Sequence, residues 1–283
     1  MSLYFIFTVD GDWNEYFSIE LPKAKRRPDK KNLLRLIKHE IKIAHCIGGK
    51  LLHFVHTSPV TRQYFLQPDF IALWKEIQDI GGSIGVHCHE EDLFSHGGLD
   101  DLALMEQSIR SLTEPLRNEG LSLISYRGGY LAFCKSIIPI LERNGIFLDF
   151  SCFPGRYLRH KGKLIADWRG APKNYYRMCY QDHRKEGKSD VIEIPLGKLK
   201  QRVLYFDVTS LFDIWMLARH LAKKERTLKG DIIVSLLTHT YELSSPWKRF
   251  RTRIALFLCS LYGKFINDKQ IIEIVQKEGT RKV

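Results

Sequence analysis

The chain has 283 residues, 44% of them hydrophobic and 27% charged, which suits a globular protein with one large or two small domains. The formal charge of +12 favours an anionic partner, yet the basic residues are scattered beyond clusters at Lys23–Lys31, Arg156–Lys163 and Lys248–Arg253, and no nucleic-acid-binding module is recognisable, so no nucleic acid is expected. No apolar run nears the roughly 20 residues of a membrane span, the longest late one being Ile254–Tyr262.

The elements follow in chain order. Leu3–Val9 reads as a buried strand, too short for a signal peptide, leading straight into Asp10-Gly11-Asp12. Leu33, Leu34, Ile37, Ile41 and Ala44 give a helix between Pro28-Asp29 and Gly48-Gly49. A strand at Leu51–His56 precedes a loop with Pro59 and Pro68. Phe70, Leu73, Trp74 and Ile77 mark a second helix. Ser83–His89 is a third strand, Leu99–Glu119 a long helix and Leu121–Tyr126 a fourth strand. Phe133–Asn144 is helical, and Ile146–Phe150 a fifth strand. Residues 154–190 break the rhythm as an insertion. Val191–Pro195, Ser210–Lys224 and Asp231–Thr238 then read as strand, helix and strand.

Such alternation implies parallel pairing in a distorted α/β barrel of about seven strands, similar to a TIM barrel. We expect the barrel over 1–245 and a helical segment over 246–283 packed on it. Six cysteines (46, 88, 134, 152, 179, 259) without pairing rhythm or a C-x-x-C read as reduced thiols, so a cytoplasmic address is expected.

In such barrels chemistry sits on the loops after the strands' C-terminal ends. Ordered by strand end, the polar residues are Asp10 and Asp12; His56; His87 and His89; Arg127 with Gly128-Gly129; Asp149 and Ser151; and His239. Two acids one residue apart share a side of the strand, and so do two histidines. Like charges that close are costly unless a metal, an arginine or a proton separates them. Read alone, the acidic pair is equally an acidic turn. Two imidazoles and a carboxylate suit Zn²⁺ or a neighbouring divalent metal. His39, His45, His160, His183 and His220 read as structural.

The chain resembles the polysaccharide deacetylases of the NodB-homology carbohydrate esterases, over roughly Phe5 to Leu243. Thr8-Val9-Asp10-Gly11-Asp12-Trp13 is similar to the family's first motif in a spaced-aspartate variant, and Ile84-Gly85-Val86-His87-Cys88-His89 to its second. Ser125-Tyr126-Arg127-Gly128-Gly129-Tyr130 resembles the third, and Leu237-Thr238-His239-Thr240-Tyr241-Glu242-Leu243 the fifth. The resemblance implies Asp10 as general base, His239 as general acid and Arg127 holding Asp10. It implies Asp12 and His87 as metal ligands, with the third ligand His89 or Glu91, because the family's usual histidine position is Glu91 here. The motif-four aspartate is Asp149, Asp167 or Asp207. His56, Gly128, Gly129, Tyr130, Asp149, Trp168 and Tyr241 are expected to bind substrate.

The expected activity is metal-dependent removal of an N-acetyl group from a sugar during surface-polysaccharide assembly, such as O-antigen or capsule. The substrate would be a polysaccharide or its nucleotide- or lipid-linked precursor, and the basic C-terminal segment could touch the inner membrane face. The alternatives are a small-molecule amidohydrolase on the same barrel, without metal, and an inactive glycan-binding relative. Oligomeric state is not legible.

Overall fold

A computed structural model describes residues 2–17, 27–88, 101–160, 162–225 and 230–281. Its principal sheet contains β1 (Leu3–Asp10), β2 (Leu51–His56), β3 (Ser83–Cys88), β4 (Ser125–Gly128), β5 (Leu148–Asp149), β8 (Tyr176–Arg177), β9 (Ile192–Glu193), β12 (Ile232–His239) and β13 (Lys264–Phe265). The strand order is β12-β1-β2-β3-β4-β5-β9-β8, with β13 on β1. From β12 to β9 all neighbours are parallel, and β8 is antiparallel on β9. Isolated parallel bridges Leu196↔Ser235 and Tyr205↔Leu237 carry the chain from beyond β9 back to β12. The expected α/β architecture, a distorted TIM-like barrel, is therefore what the chain forms.

The helices are α1 (Lys30–Ala44), α2 (Pro59–Phe65), α3 (Pro68–Asp79), α4 (Leu102–Asn118), α5 (Ile138–Arg143), α6 (Leu211–Glu225), α7 (Pro246–Ser260) and α8 (Asp268–Arg281). The start of α1 is set by Asp29, whose carboxylate accepts the Lys31 and Asn32 N–H groups, supplying partners to donors that have none inside the helix. Its buried face carries Leu33, Leu36, Ile37, Ile41 and Ala44. Helices of this kind clothe the outside of the sheet. Ile6, Leu52, Phe54, Leu148, Phe150, Ile192, Ile194 and Ile233 form a separate inner cluster with Ile266 and Ile271 at its base. Asp268 closes that end by accepting from Ser83 and Ser125. Side chains fill the barrel interior, and a cleft opens at its C-terminal mouth.

The boundaries depart from expectation where proline or irregular backbone intervenes. The loop expected around Pro59 contains α2, and Pro68 opens α3, because a proline is tolerated in a helix's first turn. Pro139 likewise delays α5 to Ile138, behind a 3-10 turn at Lys135–Ile137. Strand four begins at Ser125, not Leu121. The 154–190 insertion forms an antiparallel hairpin, β6 (Tyr157–His160) with β7 (Lys163–Asp167), and then supplies β8 to the sheet edge. A smaller hairpin, β10 (Lys198–Leu199) with β11 (Arg202–Val203), follows β9.

Candidate active site

Sheet register assembles the site. Asp10 lies opposite His239 across β1 and β12, His56 opposite His87 across β2 and β3, and His87 opposite Arg127 across β3 and β4. Strand-end residues distant in sequence thus share one level at the mouth. A cleft of about 230 Å³ opens there, lined by Asp10, Asp12, His87, Tyr130, Leu131, Arg156, Tyr205, Leu237, His239 and Tyr241. That is small beside the roughly 300–1,000 Å³ of drug-sized sites.

Arg127 is fully buried, and its Nη1 and Nε reach three acceptors. Its Nη1 donates to Asp10 Oδ1 at 2.7 Å and to Thr8 Oγ1 at 2.8 Å, and its Nε to the Phe150 carbonyl at 3.0 Å. Its guanidinium lies 4.6 Å above the Phe54 ring. A buried guanidinium hydrogen-bonded to one carboxylate oxygen fixes the orientation of the other. Asp10 Oδ2 is left facing His87 Nε2 at 4.0 Å and His239 Nε2 at 3.9 Å.

His239 is oriented from behind. Its Nδ1 meets Asp207 Oδ2 at 2.5 Å, and Thr238 Oγ1 donates to the other carboxylate oxygen. Burial alone would lower the imidazole's pKa. The hydrogen bond to Asp207 and the charges of Asp10, Asp207 and Asp12 overcome that and raise it to about 9. Nε2 points into the cleft, 3.8 Å from Asp12 Oδ2, and the Tyr241 ring stacks on the imidazole at 5.1 Å. Glu40, buried in α1, accepts from Thr240 Oγ1 and pairs with His53, which anchors the segment after His239.

The two other histidines at this level differ in tautomer. His87 Nδ1 sits 3.0 Å from the Arg127 carbonyl. A carbonyl can only accept, so Nδ1 carries a proton, and Nε2 faces Asp12 Oδ2 at 3.6 Å. His56 is reversed. Its Nδ1 accepts the Ser58 N–H at 3.0 Å, so Nε2 carries the proton, 3.5 Å from Asp12 Oδ1. Burial opposes a proton on His87, but Asp10 and Asp12 raise its pKa above the ordinary value. The pocket therefore draws positive charge.

A divalent cation suits this chemistry in part. A carboxylate and a correctly tautomeric imidazole are ligand types for zinc, and Asp12 and His87 supply them. No group of three or more such side chains that could hold a metal is complete among the described residues. His89 and Glu91, the two expected third ligands, lie outside the described residues.

Several expected substrate contacts are placed elsewhere. His56 is wholly buried behind Asp12, its ring packed against Trp13 and Tyr16. Trp168 is core: it donates to the Leu131 carbonyl and packs on Phe133 and His183. Asp149 lies opposite Glu193, both fully buried. Asp149 accepts from Ser151, and Glu193 accepts the Cys152 N–H. Burial raises the pKa of both carboxyls, and the charge of Asp149 raises Glu193 further. Asp167 is engaged by Arg169 and Arg184. The aspartate behind the histidine is thus Asp207. Tyr130 and Tyr241 do line the cleft, joined by Tyr205 and Arg156, which no sequence motif marked.

Gly128 and Gly129 shape the wall through their backbone. The Gly128 N–H is donated to Ser151 Oγ, so it is not available to substrate. Tyr130 and Leu131 both have left-handed φ (54° and 60°), costing of order 1 kcal/mol or more each. This turn folds the chain back until a Cβ on Gly128 would lie 2.0 Å from the Ala132 carbonyl oxygen. We expect Gly128→Ala to destabilise the protein by about 3 kcal/mol, read as a lower urea midpoint at unchanged slope.

No family model matches the sequence, and no curated protein does. Among solved structures, a presumed polysaccharide deacetylase from Mycobacterium smegmatis superposes with a TM-score of 0.63 at 14% identity, covering 98% of this chain and 91% of that one. The 4-alpha-glucanotransferase of Thermococcus litoralis gives 0.50 at 13%, covering 96% of this chain and 40% of that one. The chain has the fold of these proteins, and at such identity the likeness speaks for the fold alone.

Proposed function

We propose that the protein is a hydrolytic deacetylase that removes the acetyl group from an N-acetylated sugar. The observation that carries this reading is the pair of opposed, separately supported proton carriers. Asp10 is held by Arg127 and His239 by Asp207, and their free atoms face each other at 3.9 Å across the cleft. Amide hydrolysis needs a base on the attacking side and an acid on the leaving side. Asp10 Oδ2 takes the proton of the attacking water as the C–O bond forms. His239 Nε2 gives its proton to the nitrogen as the C–N bond breaks, releasing acetate and a free amine. Asp12 and His87, with His89, would hold a divalent cation, most simply Zn²⁺, supplying Lewis-acid polarisation of the amide carbonyl. His56 orients Asp12 from behind.

The small cleft suits one sugar unit, and the half-buried Arg156 on its wall adds a fixed positive charge. Both fit a phosphate-bearing precursor, nucleotide- or lipid-linked, in surface-polysaccharide assembly such as O-antigen or capsule. The test is acetate release from N-acetylated sugar nucleotides, against chitin or peptidoglycan oligomers; turnover of the polymers alone would remove the precursor reading. Metal analysis tests the ligand set. Asp12→Ala and His87→Ala should come away with background zinc, and His89→Ala should bind it at least about tenfold more weakly. His56→Gln should retain it, since its Nε2 presents a proton. Full turnover by zinc-free wild type would favour the metal-free amidohydrolase instead.

A further inference from the structure

Helix α7 is apolar on two opposite sides. One side, Thr252, Ala255, Leu256 and Cys259, is buried on the barrel. The other carries Trp247, Phe250, Phe257 and Leu261, all between 53% and 63% exposed, with half-exposed Ile254 between them. At about 100° per residue these five fall within an arc of roughly 80°. The Trp247 and Phe250 rings touch at 5.9 Å, so the stripe is continuous. Beside it, α6 exposes Phe212. Arg251 bonds to the carbonyls of Phe206 and Thr209, and Trp215 donates to Tyr262 at 2.8 Å, which lays α6 along this flank. An apolar helix face is normally covered, and this helix has only one of its two covered within the described chain.

The helix segment itself carries charge of one sign. Pro246–Lys264 contains Lys248, Arg249, Arg251, Arg253 and Lys264 and no acid. Arg253 and Lys248 are exposed, while Glu242, outside the helix, pairs with Lys248. The neighbouring face of α1 adds Arg35 and Lys42. His39 on that face has its pKa lowered by burial and then by Arg249, Arg35, Lys42 and Arg253, an independent sign that these cations converge. Aromatic anchors flanked by arginine and lysine, on a helix lying along the surface, match the chemistry of an anionic bilayer, where rings enter the headgroup boundary and cations meet lipid phosphates.

From this geometry we propose that the outer face of α7 docks the protein onto anionic lipid membranes. The inference stands apart from the catalytic reading. Its test is sedimentation of the full chain with phosphatidylcholine vesicles with and without about one third phosphatidylglycerol. Binding should rise at least about tenfold with the anionic lipid and fall as salt is raised to about 0.5 M. Tryptophan emission should shift blue on binding and the shift should vanish in Trp247→Phe, since Trp13, Trp74 and Trp168 are already buried and Trp215 is bonded to Tyr262. Phe250→Ser/Phe257→Ser should lose vesicle binding about tenfold or more with acetate release from a soluble substrate unchanged. Lys248→Glu/Arg253→Glu, which leaves every apolar contact intact, should lose the preference for phosphatidylglycerol. Absence of vesicle binding by wild type, or equal binding by the variants, overturns the proposal. A wild-type dimer that the serine variant renders monomeric would assign the face to a second copy and overturn it too.

Discussion

Asp10→Asn is expected to lower kcat for acetate release by about 10³-fold, with zinc content unchanged. An asparagine fills the same space and can still accept from Arg127, but it cannot take a proton from water, and general-base assistance is worth roughly 10²–10⁴. The substitution also removes the counterion of a guanidinium that is entirely out of solvent. Breaking a buried pair costs about 3–5 kcal/mol when nothing replaces it. Here the Thr8 hydroxyl, the Phe150 carbonyl and the Phe54 ring remain, so the loss should fall at or below the lower end and leave a folded protein with a depressed melting temperature. Assays well below that melting point separate the two effects. A variant keeping more than about a tenth of wild-type turnover would mean that Asp10 serves to hold Arg127 and that another group activates the water.

The residues that the sequence made legible share one property: each stands at the end of a strand. Asp10, Asp12, His87, Arg127 and His239 follow apolar runs bounded by glycine or turn residues, and a parallel barrel must bring such ends to one mouth. Asp207 stands instead in an irregular stretch after the β10–β11 hairpin, where no periodicity says which way a side chain faces. The sequence leaves it one of three candidate aspartates, and its contacts with Thr238 and His239 single it out. Asp149 and Trp168 had the right chemistry for a sugar site, but burial is decided by tertiary packing, here by Glu193 and by Leu131 with Phe133. His56 lies level with His87 across β2 and β3. Its tautomer, which separates an orienting residue from a ligand, depends on the Ser58 N–H. Glu40 was hidden because a charged residue on the apolar face of α1 resembles a pattern defect until its two partners are seen.

Asp207→Asn is expected to slow turnover about 10²-fold and to move the alkaline limb of the pH–rate profile to lower pH. The leaving nitrogen must receive a proton from His239, so activity falls as pH rises through the imidazole's pKa. Burial pushes that value down, and the Asp207 hydrogen bond leads the groups that hold it at about 9. An asparagine removes the charge at 2.5 Å, leaving Asp10 and Asp12 to oppose desolvation alone. A divalent cation held beside Asp12 would lower the value in both proteins, so the displacement between the two profiles is the readout. Stability gives a second readout with a fixed sign. The folded value lies above the ordinary 6.5, so the charged histidine's contribution is complete below about pH 6.5 and is lost as pH rises through about 9. The whole shift corresponds to at most about 3–4 kcal/mol, shared among Asp207, Asp10 and Asp12. Wild type should therefore melt higher than the variant at pH 6, and the gap should narrow toward pH 9. A merely structural Asp207 would leave that gap constant and the two pH–rate profiles superimposable in shape.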